Sequence, residues 1–155
     1  MGTEIERKFL LRDDRWRAAA SAGVVIRQGY LSVDPERTVR VRRAGPRGIV
    51  TIKGITQGAT RAEFEWEIPA DEADAMLDTL ALRPLVEKTR YRVDHAGHTW
   101  EIDVFTGDNA GLAIAEVELA AEAEAVLLPD WVGGEVTGDA RYYNSSLVRT
   151  PYRDW

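Results

Sequence analysis

Glu4-Ile5-Glu6-Arg7-Lys8-Phe9-Leu10, the stretch EIERKFL near the start of the chain, sets two carboxylates and an ammonium at every second position. Ile5 and Phe9 fall between them, and only Arg7 breaks the apolar rhythm of the other face. Such alternation is the pattern of a strand with one apolar and one polar face. A first strand that carries charges of both signs on one face needs a reason, and the pattern returns along the chain.

Thr38 to Arg43 (TVRVRR) sets Val39 and Val41 against Arg40 and Arg42, and Gly48 to Lys53 (GIVTIK) follows a Gly-Pro-Arg-Gly turn, so the two read as a hairpin. Ala62 to Ile68 alternates Glu63, Glu65 and Glu67 with Phe64, Trp66 and Ile68. Val86 to Val93 puts Lys88, Arg90 and Arg92 on one side, Trp100 to Val104 offers Glu101 and Asp103, and Ala113 to Leu119 offers Glu116 and Glu118. With Val24 to Ser32 and the opening strand, about eight strands are expected. Three helices are expected: Arg15–Ser21 behind Asp13 or Asp14, Glu72–Leu80 capped by Asp71, and the alanine-rich Ala121–Leu128. Tandem strands with a few short helices favour an α+β antiparallel barrel or sandwich over a doubly wound sheet.

The chain has 155 residues, a length that reads as a single domain over 1–155. It contains no cysteine, which removes disulfides, thiolate metal sites and a cysteine nucleophile. No signal-like opening or membrane-length apolar run is present, so a cytoplasmic protein with no membrane partner is expected. A net charge of −6 argues against nucleic acid as a partner. The charge is unevenly spread: Arg37, Arg40, Arg42, Arg43, Arg47, Lys53 and Arg61 share a stretch with no acidic residue between Glu36 and Glu63.

The plainest reading of the charged faces is that they point to solvent, where cross-strand pairs of opposite sign contribute roughly 0.2–1 kcal/mol each. Three glutamates side by side on one strand weaken it, since like charges cost free energy unless a cation sits among them. The alternative is a closed sheet with charged faces inward and apolar faces covered by the amphipathic helices. Desolvating so many ions would cost several kcal/mol apiece, so the interior must be a wet tunnel. Carboxylate walls suit hard cations such as Mg²⁺ or Mn²⁺, and arginine forks suit phosphate oxygens. A phosphate chain bridged by metal ions satisfies both walls.

At these residues the sequence resembles the CYTH proteins, also called triphosphate tunnel metalloenzymes. Glu4-Ile5-Glu6-Arg7-Lys8 matches their ExExK signature, followed in order by Arg40-Val41-Arg42, Lys53, Glu63/Glu65, Lys88-Thr89-Arg90, Glu101-Ile102-Asp103 and Glu116-Val117-Glu118. The resemblance implies an eight-stranded antiparallel barrel forming a charged tunnel, and divalent-metal-dependent chemistry on a small-molecule triphosphate. It implies that Lys8, Arg40, Arg42, Lys53, Lys88 and Arg90 grip phosphate, and that Glu4, Glu6, Glu63, Glu65, Asp103, Glu116 and Glu118 hold metal. Catalytic weight falls on Glu4, Glu6, Lys8 and Lys53. The two lysines are read as phosphate contacts rather than acid or base, because an exposed lysine stays charged at neutral pH. Glu67, Arg92 and Glu101 share the same faces and read as barrel-end ion pairs.

Within the family, hydrolysis of inorganic tripolyphosphate to pyrophosphate and phosphate is expected first, since the chain is short and lacks evident insertions for a base or thiamine pocket. Class IV adenylate cyclase and thiamine or nucleoside triphosphatase are the enzyme alternatives. In the cyclases an HF pair precedes ExExK, whereas here only Met1-Gly2-Thr3 does. A non-catalytic polyphosphate-binding module is the alternative of another class. Monomer and homodimer both remain open. His95 and His98 flank Gly97 in what reads as a hairpin turn, and with no third histidine a zinc site is not expected. Tyr30 is read as rim packing, Tyr142 and Tyr143 as packing in a tail that resembles the family's tunnel-closing segment.

Overall fold

The computed structural model describes residues 2–155, so that Met1 lies outside the described residues. Among the described residues nine strands form one sheet: β1 (Gly2–Leu11), β2 (Val24–Ser32), β3 (Thr38–Ala44), β4 (Arg47–Lys53), β5 (Thr60–Ile68), β6 (Val86–His95), β7 (His98–Phe105), β8 (Ala113–Glu118) and β9 (Val132–Glu135). The first eight run in the order β5-β4-β3-β2-β6-β7-β8-β1, and pairing of β1 with β5 closes them into an antiparallel barrel. The length of β1 makes closure possible. Gly2–Ile5 pair with β5, and Glu6–Leu10 pair with β8.

β9 was not expected, because Val132-Gly133-Gly134-Glu135 has no alternation to read. It joins the far end of β1, where a Cβ on Gly133 would meet the Leu10 carbonyl oxygen at 3.1 Å. Glu135 also explains the break in the opening rhythm. The Arg7 side chain points outward and donates from Nε and Nη2 to the Glu135 carboxylate at 2.9 and 2.8 Å.

The apolar core lies in three patches, two outside the barrel wall and a third on lumen-facing positions, where the tail closes one end of the charged tunnel. Phe9, Trp100, Ile102 and Val117 pack under Trp16 and Trp131 on one flank. Val41 and Val50 pack under Ala73 and Leu77 of α1 (Ala70–Thr79) on another. Tyr30, Val86, Phe105 and Ile114 meet Tyr142, Leu147 and Val148 of the tail, which includes the single-turn helix α2 (Asn144–Leu147). α1 is clamped electrostatically as well: Asp74 accepts from Arg43, and Asp78 accepts from Arg27 at 2.6 Å.

The helix expectations hold unevenly. α1 starts at Ala70 behind Pro69 rather than behind an Asp71 cap, and Arg15–Ala19 form a 3₁₀ turn that buries Trp16. Ala121–Leu128 is not helical. Eight residues are too few to hold a helix without a buried face, and their acidic side chains are otherwise engaged. Glu122 accepts from the Ala59 amide and the Thr60 hydroxyl, while Glu124 accepts from the Ala120 amide and meets His98. Nor do helices cover every outer face, since Phe64 and Trp66 on β5 stay 42% and 48% exposed. His95 and His98 face each other across a two-residue turn with positive φ at Ala96 and Gly97, the backbone that tight hairpins need. No helix among the described residues is long and apolar enough to cross a membrane.

Candidate active site

All eight barrel strands turn alternate side chains into one cavity of ≈ 620 Å³. The sorting of charge by strand becomes, in the barrel, a sorting by sector. β3 and β4 present Arg40, Arg42 and Lys53, β6 presents Lys88 and Arg90, and the neutral inner face of β2 lies between them. On the other side, β7, β8, β1 and β5 present Glu101, Glu116, Glu118, Glu4, Glu6, Glu63 and Glu65. Two cations cross over, Lys8 on β1 and Arg61 on β5.

The acidic sector contains like charges in direct cross-strand register: Glu6 opposite Glu118, and Glu101 opposite Glu116. Directly opposed carboxylates repel. Burial, with Glu116 and Glu4 beside it, pushes the Glu6 carboxyl up to about 8. Glu63 and Glu118 are raised too, by burial first and then by Glu4. Glu116 goes the other way: against its burial, the Lys8 ammonium 3.4 Å away holds it at about 2.

The lysines do not sit as the sequence reading assumed. Lys8 and Lys53 are buried, so exposure is not what sets their charge. Lys8 overcomes burial because Glu116 and Glu6 flank it, and its pKa is raised. Lys53 is lowered by burial and by Arg40, with Glu4 opposing. Lys53 donates to both oxygens of Glu4 at 2.9 and 2.8 Å, and Arg61 donates to Glu4 Oε1 at 3.3 Å. That pairing outweighs burial and holds Glu4 at about 2.

Asp103 is 1% exposed and lies behind the cavity wall rather than on it. Arg90 donates to its two oxygens at 2.7 and 2.9 Å, and Lys88 lies 2.7 Å from Oδ2. These partners keep Asp103 ionised in spite of its burial. Lys88, buried and close to Arg90 and Arg42, is pushed down to about 7, with Asp103 opposing. Arg42 is lowered to about 9 by burial, Arg40 and Arg90, and Arg40 Nε has no partner among the described residues. A basic wall so crowded is stabilised by an anion.

Of the remaining expected residues, Arg40 donates to Thr51 at 3.2 Å and Thr51 donates to Glu65 at 2.8 Å, which ties the two sectors together. Glu67 pairs with Arg47 at the barrel end, and Glu101 lies 3.4 Å from Arg90 and 3.6 Å from Arg92. Tyr142 packs against Trp155, but Tyr143 lines the cavity with Lys8 Nζ 5.7 Å from its ring centre. Three participants were not read as such from sequence, Arg61 and Asn144 on the cavity wall and Gln28 buried behind it. Arg61 continues the inward period of Glu63 and Glu65 and was legible there, Gln28 was legible as a polar residue among inward Val24 and Ile26, and Asn144 carried no signal.

Among the described residues no three carboxylates or imidazoles converge as a ready-made metal cage. A hard cation that takes most of its ligands from water and phosphate needs only one or two carboxylates. Glu6, Glu116 and Glu118 offer oxygen donors of that kind, and the cavity presents no thiolate or imidazole to favour a softer metal.

A closed eight-stranded antiparallel barrel whose lumen opposes a basic to an acidic wall defines a charged-tunnel protein. The sequence profile of the CYTH domain matches residues 2–152, and the chain belongs to that family. It is 47% identical over 155 residues to a protein of Acetivibrio thermocellus named inorganic triphosphatase, covering 100% of this chain and 99% of that one. A Nitrosomonas europaea protein of the same name is 37% identical over 150 residues, 94% and 97% of the two chains. The crystal structure of the inorganic triphosphatase NE1496 superposes with a TM-score of 0.64 at 36% identity, covering 93% of this chain and 96% of that one.

Proposed function

We propose that the protein is a metal-dependent triphosphatase that hydrolyses inorganic tripolyphosphate to pyrophosphate and phosphate. The observation that carries this reading is the opposition of Glu6 and Glu118, within one lumen, to the Arg40, Arg42, Lys88 and Arg90 wall. A polyanion satisfies one side and a hard cation the other. The names of the two relatives, at 47% and 37% identity over nearly full length, support the substrate class.

In this reading Arg40, Arg42, Lys53, Lys88 and Arg90 spread the phosphate chain along the basic wall, with Lys8 reaching it from the acidic side. The positive charge they carry with the anion bound offsets the negative charge that develops on the leaving pyrophosphate as the terminal P–O bond breaks. Glu6, Glu116 and Glu118, with Glu63, Glu65 and Glu4 nearby, would hold Mg²⁺ or Mn²⁺, which would polarise phosphate oxygens and activate water. The water oxygen adds to the terminal phosphorus and its proton leaves to solvent, so no covalent protein intermediate is required. Asp103 acts through Lys88 and Arg90, which it positions, rather than as a metal ligand.

The test is phosphate release from tripolyphosphate, ATP and thiamine triphosphate, with Mg²⁺, with Mn²⁺ and with chelator, in wild type and Glu6→Gln. Metal-dependent release from tripolyphosphate that Glu6→Gln abolishes is the expected result. Preference for ATP or thiamine triphosphate would displace the tripolyphosphate reading. Binding without any release would leave a polyphosphate-binding module.

A further inference from the structure

Two neutral amides join cations of the basic wall to each other. Gln28 on β2 is fully buried and stands between β3 and β6, opposite Arg42 in register. Arg42 Nε donates to Gln28 Oε1 at 2.8 Å, Gln28 Nε2 donates to Asn144 Oδ1 at 2.9 Å, and Lys88 Nζ donates to the same Asn144 oxygen at 2.9 Å. The result is a continuous link, Arg42–Gln28–Asn144–Lys88, from one phosphate-facing cation to another.

The orientation of both amides follows from their neighbours. Arginine and the lysine ammonium can only donate. Gln28 must therefore turn its oxygen to Arg42 and its NH₂ to Asn144, and Asn144 must turn its oxygen to Gln28 and Lys88. That leaves the Asn144 NH₂. It has no partner among the described residues, and Asn144, 9% exposed, lines the cavity.

We propose that Gln28 and Asn144 are positioning residues for phosphate capture, fixing Arg42 and Lys88 at one separation, and that the Asn144 amide adds a neutral donor to the phosphate chain. The inference rests on the tripolyphosphatase reading above. A neutral bridge suits this place because a carboxylate between Arg42 and Lys88 would neutralise the charge that the substrate has to meet, whereas an apolar residue would leave Arg42 Nε unpaired and Lys88 with Asp103 as its one remaining ionic partner among the described residues. It also couples the tail to the tunnel, since Asn144 opens α2 and the accepted hydrogen bonds seat it against the wall.

The test measures tripolyphosphate binding by titration calorimetry in chelator, together with kcat and KM in Mg²⁺ and thermal melting, for wild type, Asn144→Asp, Asn144→Ala and Gln28→Glu. Asn144→Asp keeps the accepting oxygen and replaces the free donor by an anionic oxygen. It is expected to melt close to wild type, to bind tripolyphosphate at least about tenfold more weakly, and to raise KM more than it lowers kcat. Gln28→Glu, which neutralises Arg42 and can no longer donate to Asn144, is expected to weaken binding similarly. If Asn144 only seats the tail, Asn144→Asp binds like wild type while Asn144→Ala melts earlier, and that pattern overturns the proposal. Wild-type protein that neither binds tripolyphosphate in chelator nor hydrolyses it in Mg²⁺ overturns the parent reading and this one together; wild-type binding, or a KM, that both acidic variants leave unchanged overturns this one alone.

Discussion

Glu6 and Glu118 stand directly opposite each other on β1 and β8, two carboxylates in register on the lumen side of a closed barrel. Because burial and neighbouring carboxylates push Glu6 up to about 8, the folded chain keeps a proton that the unfolded chain releases near 4.5. The folded state thus binds more protons through that window, and stability without metal falls as pH rises from about 4.5 to about 8. Glu6→Gln, in chelator, is expected to melt like wild type near pH 5. Above pH 8 it should melt on the order of 10 °C higher while losing hydrolysis, since the shift from 4.5 to about 8 corresponds to about 4–5 kcal/mol and a chain of this size moves about 3 °C per kcal/mol. Melting curves across pH with an activity assay check both halves.

A cation bound beside Glu6 has to displace that proton. Apparent metal affinity is therefore expected to weaken by about tenfold per pH unit below pH 8, with close to one proton released per cation near neutral pH. Calorimetric titration with Mn²⁺ in buffers of different ionisation enthalpy counts the protons. A pH-independent affinity would remove Glu6 from the metal site.

Glu4 and Lys53 form the opposite kind of contact, a buried pair of unlike charge with Arg61 as a third member. Glu4 is held at about 2, so the stability it contributes is present above its unfolded value of 4.5 and is lost as pH falls through about 2. Lys53→Met leaves Glu4 with Arg61 alone and is expected to cost about 3 kcal/mol, with acid unfolding moved to higher pH. The same variant should raise KM for tripolyphosphate, because Lys53 lines the cavity. Chemical denaturation at pH 7 and pH 4, with steady-state kinetics, checks it.

Asp103 separates two kinds of carboxylate that look alike in the sequence. Glu101 and Asp103 alternate on β7, but Glu101 reaches the lumen while Asp103 is enclosed by Arg90 and Lys88. Asp103→Asn leaves two buried cations without their anion and is expected to destabilise by about 3–5 kcal/mol. Its expected signature in the folded fraction is weaker tripolyphosphate binding with unchanged Mn²⁺ affinity. Loss of Mn²⁺ affinity would instead make it a ligand.

The barrel was legible because period-two alternation is independent of what lies across the sheet, and Glu4, Arg40, Glu63 and Lys88 all follow it to the lumen. β9 escaped because Gly133 and Gly134 have no side chains to alternate, and Ala121–Leu128 misled because alanine propensity was not matched by a face to bury. At the site, alternation told which residues face inward but not what they touch. The enclosure of Asp103 and the burial of Lys8 depend on neighbours brought together from distant strands. Asn144 was hidden for the same reason, since it reaches the wall only through the packing of Leu147 and Val148 on Tyr30 and Val86.

The sharpest test of inward against outward lies on β5, where adjacent residues have opposite fates. Glu65 lines the cavity and accepts from Thr51, whereas Trp66 lies across the pleat, opposite Val50, and is 48% exposed. Trp66→Lys is expected to leave kcat/KM within about twofold and stability within about 1 kcal/mol, since it removes only a partly exposed contact. Glu65→Lys, one residue earlier, puts a cation beside Arg40 and breaks the Thr51 link; it is expected to lower kcat/KM by at least about a hundredfold in protein that still melts cooperatively. A loss only at Trp66 would mean that β5 is paired one residue out of register, because a single-residue slip exchanges the faces of the whole strand.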